Sequence, residues 1–170
     1  SLSFLHRNDS QPDRTYLTFD FGGGTLDLCI VRTTAKAFRM LGTLGLELGG
    51  DDIDKLIYRR AVFPELGEGA LVTSKSVGDE TKKTFRFEEF AERLLIWQHT
   101  HELNRNDLRE LILDGMREKG KTRQKLARLL RLISLNQSYR VFQAIEEAKI
   151  GLTMNYESVI RVPELEFRVT

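Results

Sequence analysis

The chain has 170 residues, and its 26 basic and 25 acidic side chains give a formal net charge of +1, which provides no global attraction to nucleic acid or to a membrane surface. A composition that is 41% hydrophobic and 30% charged, with three prolines, is typical of a soluble globular chain and excludes a disordered tail. The single cysteine, Cys29, excludes an internal disulfide and indicates a reducing, cytoplasmic location, and no apolar run has the length of a membrane helix.

The first third of the sequence is predicted to form strands. A polar loop from Asn8 to Asp13 precedes a short run of aromatic and β-branched residues, 16–19. A turn of three glycines follows, and residues 26–31 then alternate apolar with other side chains. Two such runs around a glycine turn predict a β-hairpin, and a third strand is predicted across residues 37–46.

The remainder is predicted to be mostly helical. Asp51 and Asp52 are candidate N-caps of a helix that ends near Pro64, and residues 65–83 are predicted to be a loop or an irregular hairpin. Apolar stripes at helical spacing then run almost to the end, where a final strand, 158–162, precedes a proline. The predicted class is therefore α+β (α/β), with a strand-rich part, 1–64, and a mostly helical part, 65–170.

The most informative stretch is the glycine turn between Asp20 and Asp27. Consecutive glycines, Gly22 to Gly24, let the backbone turn sharply and direct several N–H groups at one anion. The flanking carboxylates can hold a divalent cation directly or through water, and Thr25 adds a hydroxyl within reach of a terminal phosphate. The pattern favours a nucleotide-phosphate site, with a purely structural hairpin turn as the alternative.

Three segments resemble one known family. The stretch from Tyr16 to Val31 resembles the second phosphate loop of the actin-like ATPases, and it is most similar to that of the DnaK-type heat-shock chaperones. The segment Leu48 to Asp54 is similar to the glycine pair that starts the next helix in these chaperones. The segment Glu146 to Lys149 resembles the helix that borders adenosine, so the chain resembles a divergent bacterial branch of this family.

The resemblance implies a phosphate and metal site. Asp20 would position Mg²⁺ and its waters and, with Thr25, act at the reacting phosphate, while Asp27 would be a further acid at the cation. Gly22, Gly23 and Gly24 would donate backbone amides to the phosphates of ATP or ADP, with Thr25 close to the γ-phosphate. Gly49 and Gly50 would also bind the phosphates, and Gly50 would approach the nucleotide from the opposite wall.

The resemblance also implies an adenosine side of the site. Glu146 and Lys149 would contact the ribose, and Thr153 would face the base. Ile150 stands where the family usually has an arginine stacked on adenine, so this cation–π type contact is lost here and the base preference is open.

The implied fold is a lobe of an actin-like ATPase, ribonuclease H-like, with an inserted and largely helical subdomain. The family holds its nucleotide between two lobes, and nothing here matches the first phosphate loop, the supporting lysine of the first lobe or the peptide-binding domain. With its start at Ser1, the chain is interpreted as a fragment of the second lobe that does not hydrolyse ATP alone. The implied partners are the first lobe of the parent chain, an unfolded client protein, and a co-chaperone or exchange factor.

Two alternatives use other residues. The segment Gly115 to Thr122 satisfies the P-loop expression G-x-x-x-x-G-K-[ST], whose mechanism needs a strand before it and a helix after it. The basic segment 117–131 could make the chain a non-catalytic interaction module, although a solvated helix face explains the same charges. No aromatic residues interleave with these basic residues, which argues against nucleic acid as the partner.

Overall fold

The computed structural model describes residues 13–34, 37–75, 82–117, 120–165 and 167–169. The chain divides into two compact units, the first ending at Ile53 and the second beginning at Asp54. The sequence places the division later, after residue 64. The predicted loop from Asn8 to Asp13 lies outside the described residues except for Asp13.

The first unit is built on a three-stranded antiparallel sheet in the order β1-β2-β3. Its strands are β1 (Arg14–Phe21), β2 (Leu26–Thr33) and β3 (Phe38–Leu46). These match the predicted hairpin and third strand, because the two-residue alternation and the glycine turn are local signals. A register shift between Ile30 and Val31 is the one irregularity that the β2–β3 pairing shows.

One face of this sheet is almost entirely apolar. Paired residues share a face because side chains alternate along a strand. The pairing therefore gathers one set of large apolar side chains on one face: Leu17, Phe19, Phe21, Leu26, Leu28, Ile30, Leu44 and Leu46. Leu17 and Phe19 are 66% and 64% exposed in this chain. An apolar patch of this kind marks a contact surface rather than a finished exterior.

A helix that changes its hydrogen-bond register follows the sheet. It runs as α1 (Gly50–Ile57), a π-helix (Tyr58–Val62) and α2 (Phe63–Leu66), and it ends at Gly67 in the left-handed conformation. Pro64 has no N–H to donate to a carbonyl one turn earlier, and the wider π register precedes it directly. The helix thus continues past its predicted end near Pro64.

The rest of the second unit alternates two small hairpins with helices. The strands β4 (Leu71–Lys75) and β5 (Lys82–Arg86) form the predicted hairpin, and β6 (Ile160–Val162) pairs with β7 (Phe167–Val169). The helices are α3 (Glu88–Leu94), α4 (Asn106–Gly115), α5 (Lys121–Ser134) and α6 (Ser138–Gly151). Two 3₁₀-helices, Trp97–Leu103 and Pro163–Leu165, complete the unit.

The core of the second unit is assembled from the π-helix and helices α2 to α6 around a group of aromatic side chains. The Tyr58 ring lies 5.3 Å from that of Phe63 and 5.2 Å from that of Phe142, measured between ring centroids. Leu126, Leu129, Leu132 and Ile133 of α5 are buried in the same cluster. Among the described residues, no helix has the length and apolar character needed to span a membrane.

We expect Tyr58→Phe to keep or raise stability and to change its pH dependence. The hydroxyl is fully buried and has no hydrogen-bond partner among the described residues, so removing it is expected to raise the free energy of unfolding by about 1 kcal/mol. Burial also raises the pKa of Tyr58 well above its ordinary value of 10.0. Above that value only the unfolded chain loses this proton, so stability falls as pH rises.

Urea unfolding at about pH 8 and about pH 11 measures both effects of the Tyr58 hydroxyl. The two proteins differ only in this hydroxyl, so the difference between their stabilities isolates Tyr58. The same alkaline loss of stability in Tyr58→Phe would show that this hydroxyl does not contribute it.

Candidate functional site

The glycine turn joins β1 to β2 and is exposed along its whole length. Its backbone closes through a hydrogen bond of 2.8 Å from the Gly22 N–H to the Thr25 carbonyl. Asp20 and Asp27 are directly paired across the two strands, just below the turn. The structure therefore brings together the two acids that the sequence selected.

Three amides at the tip of this turn are available for a ligand. Among the described residues, the N–H groups of Gly23, Gly24 and Thr25 have no protein acceptor. The Thr25 hydroxyl donates to Oδ2 of Asp27 at 3.0 Å, a contact the sequence did not predict. This arrangement presents N–H donors beside a carboxylate pair, which suits an anion accompanied by a cation.

The start of α1 is held against the turn by backbone hydrogen bonds. The Gly50 and Asp51 N–H groups donate to the carbonyls of Gly22 and Gly23 at 3.0 and 2.7 Å. The Gly49 N–H donates to Oδ2 of Asp52 at 2.9 Å, so Asp52 caps from the third helical position and not as the N-cap that its sequence position suggested. Both glycine amides are thus engaged within the chain.

The backbone of Gly49 packs directly against the backbone of the glycine turn. A Cβ atom at this position would lie 2.0 Å from the Gly23 carbonyl oxygen and 2.5 Å from the Gly24 nitrogen. At Gly23 an added Cβ would meet Oδ1 of Asp51 at 3.3 Å, whereas at Gly24 it would meet nothing within 4 Å. The backbone of the turn therefore leaves no room for a side chain at position 49, and this contact requires glycine there.

The adenosine residues predicted from the resemblance lie at the C-terminal end of α6. Glu146, Lys149, Ile150 and Thr153 recur at helical spacing and share one side of the helix end. Glu146 is exposed, and Ile150 is 62% exposed. The Thr153 hydroxyl donates to the Ile150 carbonyl at 2.7 Å and helps to close the helix.

Lys149 is engaged by an acid that the sequence did not select for this purpose. Its Nζ lies 2.7 Å from Oδ1 of Asp54, and the two side chains are 31% and 17% exposed. The partners are far apart in sequence, so no local pattern could identify this ion pair. The pair directs the lysine toward α1 and leaves Glu146 and Ile150 as the more exposed members of this face.

The P-loop interpretation of residues 115–122 is contradicted by the fold. The motif needs a strand before its loop, but residues 106–115 form α4, with Gly115 buried inside the helix. Lys121 and Thr122 begin α5, as the motif would require, and residues 118 and 119 lie outside the described residues. The motif instead spans the end of α4 and the start of α5.

Among the described residues, no group of three or more His, Cys, Asp or Glu side chains could hold a metal ion. The acids at the glycine turn are a pair, Asp20 and Asp27. Like charges directly opposite each other in a sheet destabilise it, and a cation would relieve that repulsion. The donor set therefore fits a magnesium ion that keeps most of its water ligands.

Comparison with known proteins gives a consistent result. A family model described as "Hsp70 protein" matches residues 5–150. A chaperone protein HscA homolog from Acinetobacter baylyi is 46% identical over 55 residues, which is 32% of this chain and 9% of that protein. The corresponding protein from Chromobacterium violaceum is 43% identical over 72 residues, which is 42% of this chain and 11% of that protein.

A third relative, the HscA homolog from Laribacter hongkongensis, is 47% identical over 51 residues. That match covers 29% of this chain and 8% of the relative. The chain therefore spans only about a tenth of the length of these curated relatives. Their names describe chaperones, and the family model covers both the glycine turn and the predicted adenosine face up to Ile150.

Proposed function

Because the chain belongs to the Hsp70 family, we propose that it is part of an ATP-binding, ATP-hydrolysing chaperone-like protein whose glycine turn holds the nucleotide phosphates. The single observation that carries the proposal is the exposed turn between Asp20 and Asp27, with its three amides that have no protein acceptor among the described residues. The fold that this family implies is the actin-like ATPase fold, and the mixed α/β architecture is compatible with it.

In this proposal each residue of the turn has a defined task. The amides of Gly23, Gly24 and Thr25 donate to phosphate oxygens, where backbone N–H groups act without side-chain bulk. Asp20 and Asp27 hold the magnesium ion, which supplies charge neutralisation on the phosphates when it is bound. The hydroxyl of Thr25, already bonded to Asp27, links the phosphate donors to the cation ligands.

The glycines of the following helix have a supporting task in the same proposal. Gly49 and Gly50 place the start of α1 against the turn, and their own amides are used in that contact. They are therefore proposed to set the shape of the turn that the phosphates meet. Glu146, Lys149 and Thr153 are proposed to serve the adenosine, with Lys149 held by Asp54.

Ile150 is proposed to weaken the preference for adenine. An exposed isoleucine offers apolar contact to any base, whereas an arginine at this position would add a cation above the ring. We therefore propose that discrimination between ATP and GTP by the parent protein is modest. The remainder of the site would come from a first lobe outside this chain, so the chain alone is not expected to turn over ATP.

The proposal also includes binding partners and a cellular location. A chaperone-type ATPase couples its nucleotide state to binding of an unfolded client, with a co-chaperone or exchange factor acting on the nucleotide-binding domain. We propose these partners together with a cytoplasmic location.

Asp20→Asn in the parent protein is expected to lower the steady-state ATPase rate by about 100-fold, because a positioned charge is lost at the reacting phosphate. The matched control is Asp13→Asn, which changes an exposed acid just before β1. The control should hydrolyse ATP at the unaltered rate, and both variants should keep the same thermal unfolding. An Asp20→Asn protein with normal Mg²⁺-dependent turnover would overturn the proposed site.

A further inference from the structure

The helix α5 carries a charge distribution that its own stability does not require. Between Lys121 and Ser134 it contains five basic residues and no acidic one. Two of the basic residues, Lys121 and Arg123, lie in the first turn, where the helix dipole disfavours positive charge. The N-cap is Gly120, without a side-chain cap to offset the cost.

The position of these charges follows from how α5 packs. Its apolar residues Leu126, Leu129, Leu132 and Ile133 are buried, while Lys121, Arg123 and Arg131 are exposed. Lys121, Gln124, Arg128 and Arg131 recur at helical spacing and share one side of the helix. We call these four residues the α5 basic face.

One side chain of the α5 basic face is held by an ion pair, and a cavity lies beside it. The Arg128 guanidinium forms an ion pair with Glu65 of α2, which holds this side chain against the unit. A cavity of about 330 Å³ opens beside it, lined by Gln124, Ala127, Arg128, Arg131 and Leu165. Arginine side chains among the lining residues suit a carboxylate that enters with its aliphatic stem.

We propose that the α5 basic face is a docking surface for an acidic segment of another protein. Charge complementarity selects this class of partner, because the face spans about 15 Å along one helix and its charged side chains are all basic, with Arg128 also paired to Glu65 of α2. The helix contains no aromatic residue on which a nucleic-acid base could stack. Its apolar side is buried in the core, so it offers no apolar face to a lipid surface.

The positive charge in the first turn of α5, which the helix dipole disfavours, supports a role in binding. Residues that break a local stability rule without a compensating contact are expected at functional sites. Among the residues that the structure describes, Lys121 is such a residue, and its exchange for a neutral side chain should leave the helix at least as stable.

The test is a binding titration of the 170-residue chain with a fluorescent peptide of alternating glutamate and serine. The double variant Lys121→Gln/Gln124→Glu removes one positive charge from the α5 basic face and adds one negative charge, and this net change of two is expected to weaken binding about tenfold. The matched control, Arg161→Gln/Gln98→Glu, makes the same change at two exposed positions of the same unit and should change affinity less than about twofold.

Three outcomes would overturn the proposal. The first is that the variant and the control lose affinity for the peptide equally, which would show that the peptide responds to the overall charge of the chain. The second is no binding of the acidic peptide even at about 50 mM salt, where ion pairing is strongest. The third is tighter binding of a thymidine oligonucleotide of equal charge that responds in the same way to the double variant. The melting temperature of the double variant should equal or exceed that of the unaltered chain, so lost binding cannot be assigned to unfolding.

Discussion

Gly49→Ala is expected to lower the free energy of unfolding of the first unit by about 3 kcal/mol or more, because the change forces backbone against backbone. The added Cβ would lie 2.0 Å from the Gly23 carbonyl oxygen and 2.3 Å from its carbon, and neither atom can rotate away. Relief requires the glycine turn and the start of α1 to separate, which breaks the hydrogen bonds from Gly50 and Asp51. Denaturant unfolding of the isolated chain, followed by circular dichroism in the sheet region, measures the loss.

Gly24→Ala is the matched control for this experiment. It adds the same methyl group to the same turn, but its Cβ meets nothing within 4 Å. The control should change stability by less than about 0.5 kcal/mol, as exposed substitutions usually do. Equal destabilisation by the two variants would mean that the turn, and not the contact at Gly49, is the sensitive element.

The two glycine variants also separate shape from chemistry at the proposed phosphate site. In the parent protein, Gly49→Ala should reduce nucleotide binding because it displaces the turn amides, although position 49 donates no free N–H itself. Gly24→Ala keeps its amide and its space, so binding should be retained. This contrast tests whether the contact between α1 and the turn sets the geometry of the proposed site.

The strand-rich part of the fold could be predicted because its signals are local. Alternation along β1 and β2 and the glycines between them determine a hairpin without reference to distant residues. The pairing of Asp20 with Asp27 follows directly from that hairpin, so the acid pair was accessible from the sequence. The contact of Gly49 with Gly23 could not be predicted from the sequence, because it depends on where the start of α1 lies relative to the turn.

The helical part shows where local reasoning ends. Apolar spacing predicted helices after residue 84, but the break between α5 and α6 depends on Asn136, which adopts a left-handed conformation with φ of 51°. The final strand predicted at 158–162 corresponds to β6, whereas its partner β7 was missed because three residues are too few for a periodic pattern. The π-helix before Pro64 is a register change, which leaves the apolar pattern of the sequence unaltered.

The face of α6 illustrates a different limit. The resemblance selected Glu146, Lys149, Ile150 and Thr153, but the ion pair between Lys149 and Asp54 joins residues distant in sequence. Packing determines which side chains remain accessible on a predicted binding face. Sequence spacing therefore identified the face, and the three-dimensional contacts determined which of its members are exposed.

Leu129→Ala is expected to lower the free energy of unfolding by about 2 to 5 kcal/mol, because Leu129 is fully buried where α5 packs into the core. Leu135→Ala, just beyond the end of the same helix, removes the same atoms from a side chain that is 54% exposed and should cost less than about 1 kcal/mol. Urea unfolding of both variants measures the difference. A loss at Leu129 as small as that at Leu135 would mean that α5 is loosely attached. The α5 basic face depends on this attachment, since a helix free to move could not hold Arg128 against Glu65 beside the cavity.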